Sequence, residues 1–445
     1  MIWPVAPQCR RAAVRLVARL SFRILIQGVL CFGLLAPLGA AQAQPFTSDK
    51  RLLLWEGTLR GSPRLMGIAG AFVGIAEGAE GITRNPASAA AKDPHFENDF
   101  NVDFGGTMHF LFPGGAKQQD WDNDGRPDEA EGPVGFLGTQ VLYSTIALQY
   151  KMVALGIGFD TQNFLSRTVV DGEPFTRIFD VNFLHLFGSL AFSVWKDQIL
   201  FGFGVESTHA FVIYGEQAPG QLLFTPRETM GYHGIGFQFG GLWRPENEDY
   251  RLGFSFKPAV MGKPAATRDN IGGYIPFSEV AAPARLSLGA SWALGSSGRH
   301  YNITSKEGWS KLDKLNIDGT QATSPAMLKW LVTTQLDVFF PVENATYVAA
   351  FLEQPTLDAL PAGSQVSFQL RAAVQKEVIE ERLRLFVGGY LEPPMTRGGN
   401  WVRPHGTFGG ELYLFKIGAV RLAFGLSFDI APRYQNLSIA IEAWK

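Results

Sequence analysis

The sequence has 445 residues, with 39 Lys and Arg against 41 Asp and Glu, 50 glycines, 35 phenylalanines and only 18% charged residues. Both cysteines, Cys9 and Cys31, lie in residues 1–43, so the remainder can form no disulfide, thiol nucleophile or cysteine metal site. Five of the 39 basic residues lie there too, leaving 34 against 41 and a net charge near −7, which argues against a nucleic-acid partner.

Residues 1–43 read as a secretory signal peptide. Arg10, Arg11, Arg15, Arg19 and Arg23 form a basic start, Ile24 to Leu38 is apolar, and Ala41-Gln42-Ala43 suits a signal peptidase. A membrane anchor would need about 20 apolar residues, more than this run supplies. Cys31 follows Leu30 rather than a small residue, which does not suit a lipoprotein. Removing 43 of 445 residues leaves 402, room for two or three soluble domains or one large barrel.

Residues 44–97 hold a segment unlike the rest. Met66 to Ala91 is rich in Gly and Ala, weakly helical, and closes on the turn Arg84-Asn85-Pro86-Ala87. Asn-Pro starts turns; Pro86 stiffens the bend, and Asn85 can cap or anchor backbone. A compact piece ahead of many strands is expected to lodge inside a barrel as a hatch, gated around Arg84, Asn85, Pro86 and Ala87.

Residues 98–445 alternate apolar with small or polar residues in segment after segment. Leu422-Ala-Phe424-Gly-Leu426-Ser-Phe428-Asp-Ile430 is the clearest, and Val366–Val374, Leu252–Phe256, Phe201–Val205 and Leu286–Trp292 repeat it. In water such a face packs on a core; in a membrane it meets lipid. Fourteen strands are expected: 98–112, 137–150, 152–165, 178–195, 199–212, 228–243, 250–262, 283–294, 326–341, 364–376, 382–391, 405–416, 419–430 and 434–444. The fold class is therefore all-β, a transmembrane antiparallel barrel.

Connection lengths support this. Lys196-Asp197, Pro245–Asp249, Val378–Glu381 and Ile417-Gly418 are tight, whereas 113–136, 213–227, 263–282 and 392–404 are long. Short turns on one side and long loops on the other mark an outer-membrane barrel. Tyr150, Trp195, Trp243, Trp292, Phe415 and Trp444 cluster at strand ends on the short-turn side, where amphipathic rings suit a membrane interface. The polar insertion 295–325 breaks the pattern: it is either an excursion on the short-turn side or hides a ninth strand, which with Ala345 to Glu353 as a further strand makes sixteen.

The sharpest local chemistry lies in the external loop 113–136. Asp120, Asp122, Asp124, Asp128 and Glu131 stand at positions 1, 3, 5, 9 and 12 of a loop, with Gly125 at 6 and the Arg126 carbonyl at 7. That is the spacing of a calcium loop, and its non-helical flanks point to a structural Ca2+ clamp rather than a switch. No catalytic constellation is present: the seven histidines form no HxH or HExxH, and Gly-x-Ser-x-Gly and a phosphate loop are absent. The chain is expected not to be an enzyme. Gly202-Phe-Gly204 and Gly234-Ile-Gly236 resemble nucleotide fingerprints but suit strand glycines better. Glu206, Arg371 and Glu411 fall on inward positions.

Three passages carry a family resemblance: Gly70-Ala71-Phe72-Val73 through Thr83-Arg84-Asn85-Pro86-Ala87, Gly234 to Pro245 with Tyr250 to Phe256, and Pro283 to Gly289. Together they resemble the FadL/TodX family of outer-membrane transporters for hydrophobic compounds. The resemblance implies passive uptake of long-chain fatty acids or aromatic hydrocarbons across the outer membrane of a Gram-negative bacterium, gated by the hatch. Partners would be a hydrophobic small molecule and outer-membrane lipids. A fatty-acid carboxylate would want a cation, for which Arg285 or Arg371 could serve. The resemblance would also allow a kink near Asp160–Phe164 opening a lateral exit. The alternative is a non-transporting barrel serving surface assembly or secretion.

Overall fold

The structure, a computed structural model, describes residues 50–54, 59–91, 100–111, 123, 140–169, 173–195, 197–221, 223–246, 248–265, 271, 276–294, 302, 330–346, 362–379, 382–394, 402–417 and 420–444. Its strands in chain order are β1 (Arg51–Leu53), β2 (Phe100–Leu111), β3 (Gln140–Tyr150), β4 (Val153–Val169), β5 (Thr176–Val194), β6 (Ile199–Gln217), β7 (Thr225–Trp243), β8 (Tyr250–Lys257) and β9 (Val260–Pro264). They continue with β10 (Glu279–Ala282), β11 (Arg285–Leu294), β12 (Trp330–Phe339), β13 (Ala345–Thr346), β14 (Ser367–Ile379), β15 (Leu383–Glu392), β16 (Arg403–Ile417), β17 (Val420–Ala431) and β18 (Tyr434–Trp444).

Fourteen of these strands form one closed antiparallel ring. β2 to β8 pair in sequence, β8 pairs β11, β11 pairs β12, β12 pairs β14, and β14 to β18 follow in order. The ring closes where β18 pairs β2, from Asn436 opposite Leu111 to Trp444 opposite Asp103. Closure leaves no strand edge unpaired, which a membrane interior demands. Every expected strand overlaps one ring strand. β1, β9, β10 and β13 are not ring members, so the sixteen-strand alternative fails: Ala345–Thr346 pairs in parallel with β1, and 347–361 lie outside the described residues.

Alternation sets the two faces. On β17, Ala423, Gly425, Ser427 and Asp429 point inward and are buried, while Phe424 and Ile430 face out. Ile157 on β4 and Ile235 on β7 are 61% and 66% exposed. A soluble sandwich would bury this apolar face; here it is the exterior, so it meets lipid. The chain is a transmembrane β-barrel of the outer-membrane kind. Tyr150, Trp195 and Trp292 are exposed at the short-turn end, and Trp243 is half-buried. The side chains of Phe415 and Trp444 lie outside the described set.

The β4–β5 ladder runs from Val153 to Val169 without a register shift through Asp160–Phe164. β5, β6 and β7 are 19 residues each, nearly twice the 9–11 that cross a bilayer. They therefore project beyond it on the long-loop side. There β9, β10, β1 and β13 make a small sheet against the ring.

Candidate functional site

Residues 59–91 fill the lumen on the short-turn half. A short helix, α1 (Pro63–Gly67), starts with Pro63 at its first turn and Ser62 as cap, whose Oγ accepts from the Leu65 amide at 3.1 Å. Two 3-10 turns follow, Ala79–Gly81 and Pro86–Ala90. Asn85 caps the second: its Oδ1 accepts from the Ala87 amide at 3.1 Å, and its Nδ2 donates to the carbonyls of Val73 and Gly241 at 3.2 and 3.1 Å. One amide thus closes the turn, ties it to the preceding plug segment at Val73, and anchors both to β7.

So irregular a segment leaves many backbone groups unpaired, and buried backbone must find partners. The wall supplies them from inward positions all round the ring. Ser291 and Thr333 donate to the carbonyls of Gly74 and Ala71 at 2.9 and 2.7 Å. Thr407 does so to Gly67 at 2.9 Å, Gln149 to Ala90 at 2.9 Å, and Gln238 to Arg84 at 3.1 Å. Gln335 and Asp103 accept from the amides of Val73 and Ala79 at 3.0 and 2.6 Å.

Glycines let the plug backbone approach the wall. A Cβ on Gly253 would lie 1.9 Å from the Val73 carbonyl oxygen, and one on Gly202 2.2 Å from the Ala87 amide nitrogen. Gly202 is therefore a docking position, in line with its reading as a strand glycine. Alanines and leucines complete the fit, with Ala87, Ala90 and Ile82 packing on Ala147, Ala191 and Leu242.

Ion pairs cross the same boundary. Arg251 is 1% exposed; its Nη1 donates to the Ile75 carbonyl at 3.2 Å and to Glu77 Oε1 at 2.5 Å. Arg64 meets Glu77 at 3.1 Å and Glu80 at 2.7 Å. Burial alone would raise the Glu77 carboxyl, but Arg251 and Arg64 outweigh it and lower it to about 2. Arg60 pairs with Asp160 of β4 at 2.6 Å.

Above the plug the lumen wall changes character. Phe179, Val181 and Phe183 of β5, Val212 and Tyr214 of β6, and Met230 and Tyr232 of β7 form an inward apolar lining. Leu52, Phe277 and Val280 cover it, and the Tyr232 hydroxyl donates to the Phe277 carbonyl at 3.0 Å. Between lining and plug lies a charged belt, with Lys257 and His185 holding Glu206 at 2.5 and 3.0 Å. Lumens of such barrels are ordinarily polar, so an apolar inner wall needs a reason.

Of the site residues expected from sequence, Asn85, Pro86 and Ala87 sit against β6 and β7, and Arg84 donates from Nη2 to the Arg60 carbonyl at 3.5 Å. Arg371 uses Nε on Asp337 at 2.7 Å, Nη1 on the Ala69 carbonyl at 2.8 Å and Nη2 on Gln369 at 2.5 Å. A ligand carboxylate would have to displace one of these. Arg285 is buried beside the same Asp337. Asp120, Asp122, Asp124, Arg126, Asp128 and Glu131 lie outside the described residues, as does the insertion 295–325 except Asn302, whose Oδ1 accepts from Arg251 at 2.8 Å. Sequence reasoning missed Arg251, Ser291 and Thr333; their odd-numbered register on β8, β11 and β12 is the signal that marks them as inward.

Fold and lumen together define a plugged transmembrane β-barrel. Among solved structures, the fold matches a Pseudomonas aeruginosa FadL homologue at 13% identity and TM-score 0.50, covering 87% of this chain and 98% of that one. It also matches the CymD monoaromatic hydrocarbon channel at 10% identity and TM-score 0.50, covering 86% and 96%. At such identities the likeness is one of fold. Comparison with protein-family models and with curated proteins gave no match.

Proposed function

We propose that this barrel admits hydrophobic small molecules, long-chain fatty acids or aromatic hydrocarbons, by passive diffusion across the outer membrane, with residues 59–91 as its gate. The observation that carries the reading is the apolar lining on β5, β6 and β7, set inside a lumen that is polar elsewhere. An apolar molecule leaving water there gains roughly 25 cal/mol per Å2 buried, which needs no energy source. It would displace the cover formed by Leu52, Phe277 and Val280. The plug then bars the way down, and its short turns depend on side-chain anchors rather than on long hydrogen-bonded elements. Such a segment can shift locally without disturbing the ring. The Arg84–Ala87 turn is where that shift would start, because Asn85 joins the turn and the Val73 carbonyl to β7.

Uptake of radiolabelled fatty acid and of an aromatic hydrocarbon, compared in cells with and without the gene, tests the proposal. Cargo accumulation should fall without the gene, and Val212→Glu should impair uptake while the barrel still assembles. Equal uptake of every apolar cargo would favour the surface-scaffold alternative. In the same reading, the loop 120–131 binds one structural Ca2+. Calorimetry on Asp120→Asn/Asp124→Asn should show the loss of that equivalent.

A further inference from the structure

Where the plug meets β16 and β18, three carboxylates converge. Glu80 of the plug, Glu411 of β16 and Glu442 of β18 each present an oxygen, and these oxygens lie within 4.8 Å of one another. Glu411 is 2% exposed. Its Oε2 accepts from Arg384 Nη1 at 3.3 Å, while its Oε1 is buried with no hydrogen-bond partner among the described residues. Oε1 of Glu442 is buried in the same condition.

Among the described residues, the nearby cations Arg64 and Arg251 are engaged. Arg64 donates to Glu80 at 2.7 Å, to Glu77 at 3.1 Å and to Gln375 at 2.8 Å, and Ser62 Oγ donates to the other oxygen of Glu80. Arg251 is held by Glu77 and Asn302. Among the described side chains, the carboxylates Glu77, Glu80, Glu411 and Glu442 thus face the guanidinium groups of Arg64, Arg251 and Arg384. Carboxylates outnumber guanidinium groups among these side chains. An ionised carboxylate buried without a counter-charge is costly.

We infer that Glu80, Glu411 and Glu442 form a site for one divalent cation, which fastens the plug to the wall beside the seam where the barrel closes. The ion's positive charge offsets that excess. The donors are all oxygens, which select a hard ion such as Ca2+. Oxygens up to 4.8 Å apart can share one ion at Ca–O distances of about 2.4 Å, with water completing the shell. The site does not depend on what the barrel carries, and it uses none of the residues 120–131.

The test uses the full-length protein in detergent, carrying Asp120→Asn/Asp124→Asn to silence the loop and stripped with EDTA. Titration with CaCl2, with bound ion counted by mass spectrometry after desalting, should show one equivalent. Adding Glu411→Gln/Glu442→Gln should weaken that binding at least tenfold while heat-modifiable migration stays normal. A second measurement leaves the carboxylates intact. Terbium bound to the loop-silenced protein should emit by sensitisation from Tyr143, whose hydroxyl donates to the Glu80 carbonyl at 2.9 Å. Ca2+ should compete that emission away, and Tyr143→Phe should dim it. Absence of a bound equivalent at millimolar Ca2+ in a folded barrel would overturn the assignment, as would binding indifferent to the two glutamine substitutions. In either event the carboxylates hold protons in place of an ion.

Discussion

Asn85 is fully buried, and its amide makes three bonds that no other side chain could make at once. Asn85→Ala strands the carbonyls of Val73 and Gly241, at about 1–3 kcal/mol for each buried group left unpaired. Hydrogen exchange across 63–91 should quicken while the ring strands stay protected. Gly253→Val should act more strongly, because its side chain would occupy the place of the Val73 carbonyl. Glu77 adds a pH dependence. Its carboxyl is lowered from an ordinary 4.5 to about 2, so its contribution to plug seating is whole above about 4.5 and lost as pH falls through 2. Solute leakage from vesicles should rise over that window, and Glu77→Gln should flatten the pH response.

A strand of this barrel carries two opposed requirements on alternate residues. On β4, Gly156 leaves room for Ile82 of the plug, while its neighbour Ile157 faces lipid. Ile157→Lys puts a charge on that exterior, at up to about 2–4 kcal/mol near the bilayer midplane. Urea unfolding in lipid vesicles should register a loss of that order, whereas Ile157→Leu should leave stability near the original. These faces were legible in sequence, because a period of two is written within five or six consecutive residues. The calcium-type spacing at 120–131 was legible for the same local reason.

Across the whole molecule, ring and plug are distinct in kind. The ring is held by backbone ladders between sequence neighbours and closes at β2 and β18. The plug is held by side chains from strands throughout the ring. Deleting Ala71–Ala91 should therefore raise leakage of small solutes in vesicles while the boiled and unboiled protein still migrate differently on a gel. An unchanged barrier would place the seal elsewhere.

Alternation, turn lengths and the compositional break at Met66–Ala91 determined by themselves that the chain makes a barrel with an odd piece at its start, while the ring decided for fourteen strands over sixteen. Each is a pattern of near neighbours, so it needs no knowledge of the fold. Only tertiary structure decided what the inward charges do. Arg371 reads from sequence as a free cation for a ligand, yet it holds Asp337 and the Ala69 carbonyl, 302 residues away. Asn85 meets Gly241 across 156 residues, and Glu80 meets Glu411 and Glu442 from the far end of the chain. Such meetings depend on strand count and stagger, which bring distant inward positions to one level of the lumen.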